Sequence, residues 1–296
     1  MPFAMSMALC LGLGAAFCQS LAYLLSRVYG GGTQRLLILS HVIMGGLALP
    51  VFPFVLPAQI PDFMIYMPPL LGASLTYLVA QGSLLLALKK TEASRIAPLL
   101  GLKIVFVAVI GMLFFSQELS YLKWLGVIAT TTGAWIVSAR GESPHRATVP
   151  LVLFACLCYS LSDLNINILV RLFTGMSQMK ASFLSVTMIY IFLGALAFPI
   201  AFAKGFLEKE DLKQVMPYSL AWFAAMLFLF SCFAYGGVVF GVVVQSTRGV
   251  MSIVLGFIVA RAVQKNQLEK KIGTMLLLQR IFGAVLMSIG IGLFVY

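Results

Sequence analysis

Residues 181–203 read Ala181-Ser-Phe-Leu-Ser-Val-Thr-Met-Ile-Tyr190-Ile-Phe-Leu-Gly-Ala-Leu-Ala-Phe-Pro199-Ile-Ala-Phe-Ala203, twenty-three residues without a charge. A helix needs about 20 apolar residues to cross the hydrocarbon of a bilayer, whereas a barrel strand uses only about ten. Hydrocarbon offers no hydrogen bonds to open backbone, so a run of this length is a helix. Charged residues, glycines and prolines mark off ten such runs, at 4–27, 36–57, 64–88, 96–116, 121–139, 149–170, 181–203, 217–241, 247–263 and 275–295. Ten spans occupy roughly 200 residues, and the connectors are short, the longest being 204–214. The predicted fold class is therefore all-α integral membrane, with ten transmembrane helices.

Composition points the same way. Of 296 residues, 61% are hydrophobic and 10% charged, where a soluble domain carries about 25% charged residues. The net charge of +11 comes from Lys and Arg placed in connectors. It is an orientation signal, and no nucleic-acid partner is expected. Connectors after the odd-numbered spans hold fourteen basic residues (Arg27, Arg35, Lys89, Lys90, Arg95, Arg140, Arg146, Lys204, Lys209, Lys213, Arg261, Lys265, Lys270, Lys271), while the other side holds four, Lys123, Arg171, Lys180 and Arg248. The positive-inside bias puts the odd connectors in the cytoplasm and both termini outside, in a plasma or inner membrane. The first run outlasts a signal-peptide core and has no basic segment before it, so it is read as a retained span. Cys10, Cys18, Cys156, Cys158 and Cys232 lie in apolar runs without metal-ligand spacing and are read as packing residues.

The two halves align on each other. Gln19-Ser-Leu-Ala-Tyr23-Leu-Leu-Ser-Arg27 in span one matches Asp163-Leu-Asn-Ile-Asn167-Ile-Leu-Val-Arg171 in span six. Gly46-Leu-Ala-Leu-Pro50 in span two matches Ala195-Leu-Ala-Phe-Pro199 in span seven. Gly126 and Gly133 in span five match Gly283 and Gly290 in span ten, both pairs seven residues apart. Five spans per half means that the second copy, residues 148–296, enters the membrane with polarity opposite to the first, residues 1–147. Two inverted five-helix repeats of this kind build secondary transporters that alternate access around a midplane site.

The stretch Lys90-Thr-Glu-Ala-Ser94, an apolar span, Gln117-Glu-Leu-Ser120, Leu125-Gly126 and Gly133 resembles the carboxyl half of the EamA repeat of the drug/metabolite transporter superfamily. In the second half Asn266-Gln-Leu-Glu269 lies six residues further from its glycine than Glu118 does, and Lys103 stands near where many members carry a proline. The resemblance implies ten helices in two inverted repeats, transport of a small solute, and a cavity enclosed by spans one, three, four, six, eight and nine. It also implies cytoplasmic termini, against the charge count, which we follow here.

An ionisable side chain inside a span is costly and marks a candidate site. Asp163 is the one acid well inside a span, with Tyr159, Ser160 and Asn167 at helical spacing. It reads as a cation or proton site, as the neutraliser of a lysine, or as a structural ion pair. Lys103, roughly 12 Å into span four at the helical rise, either reaches Asp163 or snorkels to the interface. Arg248, in the polar turn Gln245-Ser-Thr-Arg-Gly249, either attracts an anion or only sets orientation. Gln19, Tyr23, Tyr77, Gln81 and Tyr235 complete the candidate substrate-binding set, as cavity lining or as interhelical hydrogen bonds. His41 and Arg280 read as a packed histidine and an interfacial arginine.

Basic candidates outnumber Asp163, which leans toward a polar or anionic metabolite as the small-molecule substrate. A proton or counter-substrate is the expected coupling partner, the bilayer is the surrounding, a homodimer is left open, and no cofactor is expected. An enzyme is disfavoured, because the nine acids form no Mg²⁺-binding pair at a span and no nucleotide or metalloprotease motif is present. A channel or a lipid-translocating protein is the alternative.

Overall fold

The computed structural model describes residues 2–29, 32–57, 59–90, 100–115, 118–138, 148–173, 175–252, 254–255 and 274–295. Among them the elements are helices: α1 (Pro2–Val28), α2 (Thr33–Val55), α3 (Phe63–Lys90), α4 (Lys103–Phe115), α5 (Tyr121–Ser138), α6 (Thr148–Leu172), α7 (Gln178–Ala203), α8 (Lys209–Gly236), α9 (Val238–Gln245) and α10 (Thr274–Val295). Six of the helices, α1, α2, α3, α6, α7 and α8, are long and apolar enough to cross a membrane. Shorter apolar helices follow at Lys103–Phe114, Val238–Ser252 and Ile281–Phe294. Large side chains such as Phe54, Phe114 and Phe202 stand exposed on these helices, as lipid-facing residues do. This is an integral multi-pass membrane protein.

Two expectations are corrected. The run 217–241 is not one helix, because α8 ends at Gly236 and α9 starts at Val238. Gly237 between them has φ 82 and ψ 163, a backbone region that only glycine enters without strain. Likewise Lys103 is the first residue of α4, after a turn at Gly101 and Leu102, rather than two turns inside a continuous helix. The Thr91–Ser94 turn, Gln117, the Asn266–Glu269 turn and the connector residues Arg95, Arg140, Arg146, Arg261, Lys265, Lys270 and Lys271 lie outside the described residues.

The chain divides into two compact units. The first comprises Met1–Leu75 and Asn165–Gly237, the second Thr76–Leu164 and Val238–Tyr296.

In the first unit α1 packs on α8 and α2 on α7, with α8 also against α2 and α7. Glycine makes the second crossing possible. A Cβ placed on Gly45 would stand 2.9 Å from the Cα of Gly194, and one placed on Gly194 would meet Gly45 at the same distance. Leu36, Leu39, Ile43, Ala197, Ala201 and Val215 bury one another beside this crossing. At the start of α2, Arg35 pairs with Asp211 of α8 and lies 5.1 Å over the Phe206 ring. Tyr29, just past α1, has its phenol pushed up by burial and by the Asp211 carboxylate, with Arg35 opposing.

In the second unit α10 packs on α5 and α9 on α4. Gly126 meets Gly290 and Gly133 meets Gly283, with a built Cβ at 2.8 Å and 2.6 Å from the facing carbonyl oxygens. The order of these two contacts makes α5 and α10 antiparallel. Close backbone approach at small residues is how membrane helices gain packing when apolar burial offers no advantage over lipid.

Gly194→Val should therefore lower the thermal stability of the detergent-purified protein by on the order of 1–3 kcal/mol, the usual cost of overpacking. Gly46→Val serves as the control, since a Cβ there meets nothing within 4 Å, and should melt like the wild type. Equal melting of both variants and the wild type contradicts the crossing.

Candidate functional site

The second unit holds the charged centre. Nζ of Lys103 lies 2.6 Å from Oδ2 of Asp163, with the two side chains only 7% and 6% exposed. Lys103 opens α4 while Asp163 sits in mid-α6. Packing holds the two there: Leu84 and Ala87 of α3 bury Val152, Ala155 and Cys156 of α6. One turn further along α6, Ser160 donates to the carbonyl of Cys156 at 2.8 Å and to that of Lys103 at 3.4 Å, tying the start of α4 to α6.

The ammonium is fully engaged. Besides Asp163, it donates to Oε1 of Gln245 at 3.3 Å and lies 5.5 Å over the Tyr159 ring. That ring meets Tyr77 of α3 edge-on at 6.2 Å, and the Tyr77 hydroxyl accepts from Nε2 of Gln81 at 3.0 Å. The charge of Arg248, just past α9, acts on both members of the pair. Tyr77, Gln81, Lys103, Tyr159, Asp163 and Arg248, picked out separately in the sequence, thus belong to one polar constellation carrying two cations and one carboxylate. Lys103 does not snorkel. A lone ion of either sign would be very costly at this burial, and the pair with its added hydrogen bonds offsets that cost.

Gln19, Tyr23, Asn167 and Tyr235 belong to the first unit. Gln19 and Asn167 are buried there, and Tyr235 is half-buried near the end of α8. Tyr23 meets Trp222 edge-on at 5.9 Å. Trp222 in turn stacks on Tyr218 and donates through Nε1 to the Tyr190 hydroxyl at 3.1 Å. His41 packs beside Tyr190, and its Nδ1 donates to the carbonyl of Leu37 at 2.7 Å, the packed role read from the sequence.

Residues 6–139 match the model of the EamA-like transporter family. An "Uncharacterized transporter in cobO 3'region" of Sinorhizobium sp is 44% identical over 52 residues, 18% of this chain and 37% of that protein's length. A protein of known crystal structure shares the fold over 97% of this chain and 96% of its own, with a TM-score of 0.67 and 12% identity.

The EamA match takes in α1 to α5, and so includes Lys103, Tyr77 and Gln81. Two further residues, absent from the candidate set, prove central to the polar clusters. Gln245 caps the lysine, and its sequence signal was a polar side chain ending the run 237–244. Trp222 anchors the aromatic cluster of the first unit; a tryptophan in the interior of a span, away from the interfacial belts that this residue favours, was the clue.

Asp163→Asn and Lys103→Met should each destabilise the purified protein, by about 3–5 kcal/mol where a buried charge loses its partner. The double variant Asp163→Asn/Lys103→Met should regain most of that loss. Additive losses in thermal unfolding would contradict a coupled pair.

Proposed function

We propose that this protein belongs to the EamA-like transporter family and is a secondary transporter that moves a small polar or anionic metabolite by alternating access around a midplane site that includes Lys103 and Asp163. One observation carries the reading: a buried ion pair joins a residue of each sequence half, Lys103 from residues 1–147 and Asp163 from residues 148–296. A match to the model of a transporter family over residues 6–139 supports it.

The two halves are inverted repeats in this reading, and the glycine contacts support it. The sequence alignment pairs Gly45 with Gly194, and these two touch each other. It pairs Gly126 with Gly283 and Gly133 with Gly290, and the contacts are Gly126 to Gly290 and Gly133 to Gly283. Elements related by a two-fold axis make such reciprocal contacts, with each position meeting the mate of its partner. The pseudo-two-fold then lies in the membrane plane, and the odd connectors, Lys204 to Lys213 among them, face the cytoplasm in accord with the positive-inside bias.

Uptake into proteoliposomes, screened across amino acids, sugar phosphates and small organic acids with and without a pH gradient, tests the function. Accumulation of a solute by the wild type and its loss in purified, correctly inserted Asp163→Asn is the expected result. Full transport by Asp163→Asn contradicts the site. For orientation, Leu207→Cys in a cysteine-free background should react with an impermeant maleimide in inside-out vesicles and not in intact cells. The reverse pattern puts the odd connectors outside.

A further inference from the structure

The Lys103 ammonium has three N–H donors, and the described surroundings engage it on three sides: Oδ2 of Asp163, Oε1 of Gln245 and the face of the Tyr159 ring. A second anion cannot simply be added. To reach Lys103 it has to take the place of one of these groups, and Asp163 is the charged one of the three. The place it vacates is already fitted to a carboxylate, at 2.6 Å from Nζ and closed off from solvent.

A carboxylate that loses its contact with Lys103 while it stays buried is driven to take up a proton, because burial disfavours its charged form. Among the described residues the ionisable and charged groups around the pair are Lys103 of α4 and Arg248 beyond α9, which act on Asp163, and Cys156 and Tyr159 of α6, which lie toward Lys103, with Tyr77 of α3 against Tyr159. Lys103 lies in contact with Asp163, so an anion that takes over Lys103 leaves Asp163 buried without that contact, and Asp163 takes up the proton.

We propose that Lys103 is the receptor for the carboxylate of a singly charged organic acid and that Asp163 is its resident counter-ion, so that each anion bound brings one proton onto Asp163. The inference rests on the transport reading above and names the substrate class and coupling of that same site. Charge is conserved around the cycle. With the pair closed, Lys103 and Asp163 sum to zero; with Asp163 protonated and a monoanion on Lys103, the sum is again zero. No bond other than O–H forms or breaks. Loaded and empty sites then carry the same charge, so monocarboxylate and proton move together without net charge transfer, driven by a pH gradient and indifferent to membrane potential.

The test is calorimetric titration of the purified full-length protein with sodium lactate and with sodium benzoate, in two buffers of different ionisation enthalpy, with methylammonium chloride as the cation control. The expected result is binding of at least one of the two carboxylates, with about one proton taken up per anion and an affinity that falls about tenfold per pH unit above neutrality, as linkage requires. Lys103→Met should bind neither anion. Asp163→Asn should bind with no proton uptake and no such pH dependence; if it does not purify, the wild-type proton count decides alone. Binding without proton uptake, tight binding of methylammonium in place of the anions, or no binding of either carboxylate overturns the inference. None of these outcomes bears on the transport reading, which falls separately if no solute in the proteoliposome screen is accumulated.

Discussion

A charge closed off from solvent is costly unless it is paired, and Lys103 and Asp163 meet that constraint on each other. Each ion alone would be far more costly in such surroundings than in water. At 2.6 Å, with Gln245 and the Tyr159 ring also against the ammonium, each is held by the other. The local architecture follows from keeping these groups in place. The turn that opens α4 lies against Ser160 of α6, and α9 ends on the glutamine that caps the lysine. A purely structural sheet of apolar helices would need none of these polar contacts, and well-packed apolar residues of similar volume would be at least as stable as an ion pair.

The remainder of the fold is small-residue packing. Membrane helices gain little from apolar contact with each other that lipid would not also give, so close backbone approach determines which helices meet. Gly45 against Gly194 fixes α2 on α7, and the Gly126–Gly290 and Gly133–Gly283 contacts fix α5 on α10. The aromatic cluster of Trp222, Tyr190, Tyr23 and His41 fills the first unit with rings whose polar tips find partners.

Much of this was legible in the sequence. Twenty-residue apolar runs specify helices because no other open backbone survives in lipid, and the glycines of spans five and ten could be aligned because their crossing leaves room for nothing larger. Lys103 and Asp163 stood out because charges in a span are rare. The break at Gly237 was not legible, since Gly237-Val-Val-Phe-Gly-Val-Val-Val244 is uniformly apolar and its signal is a backbone angle, which composition does not carry. The start of α4 was misjudged for a related reason: Leu99-Leu-Gly-Leu102 is as apolar as the helix that follows, and only the chain path shows the turn at Gly101 and Leu102. Gln245 was read as part of a turn because its partner is distant in sequence, 142 residues from Lys103.

In the proposed transporter the ion pair lies on a path opened in turn to the two sides of the membrane. Ser160, fully buried and one turn from Asp163, can be replaced by cysteine with little change in shape. In a cysteine-free background reconstituted in both orientations, Ser160→Cys should react slowly with a small impermeant thiol reagent from either face. Reaction from one face alone, or from neither, would contradict alternating access and leave the Lys103–Asp163 pair a structural clamp.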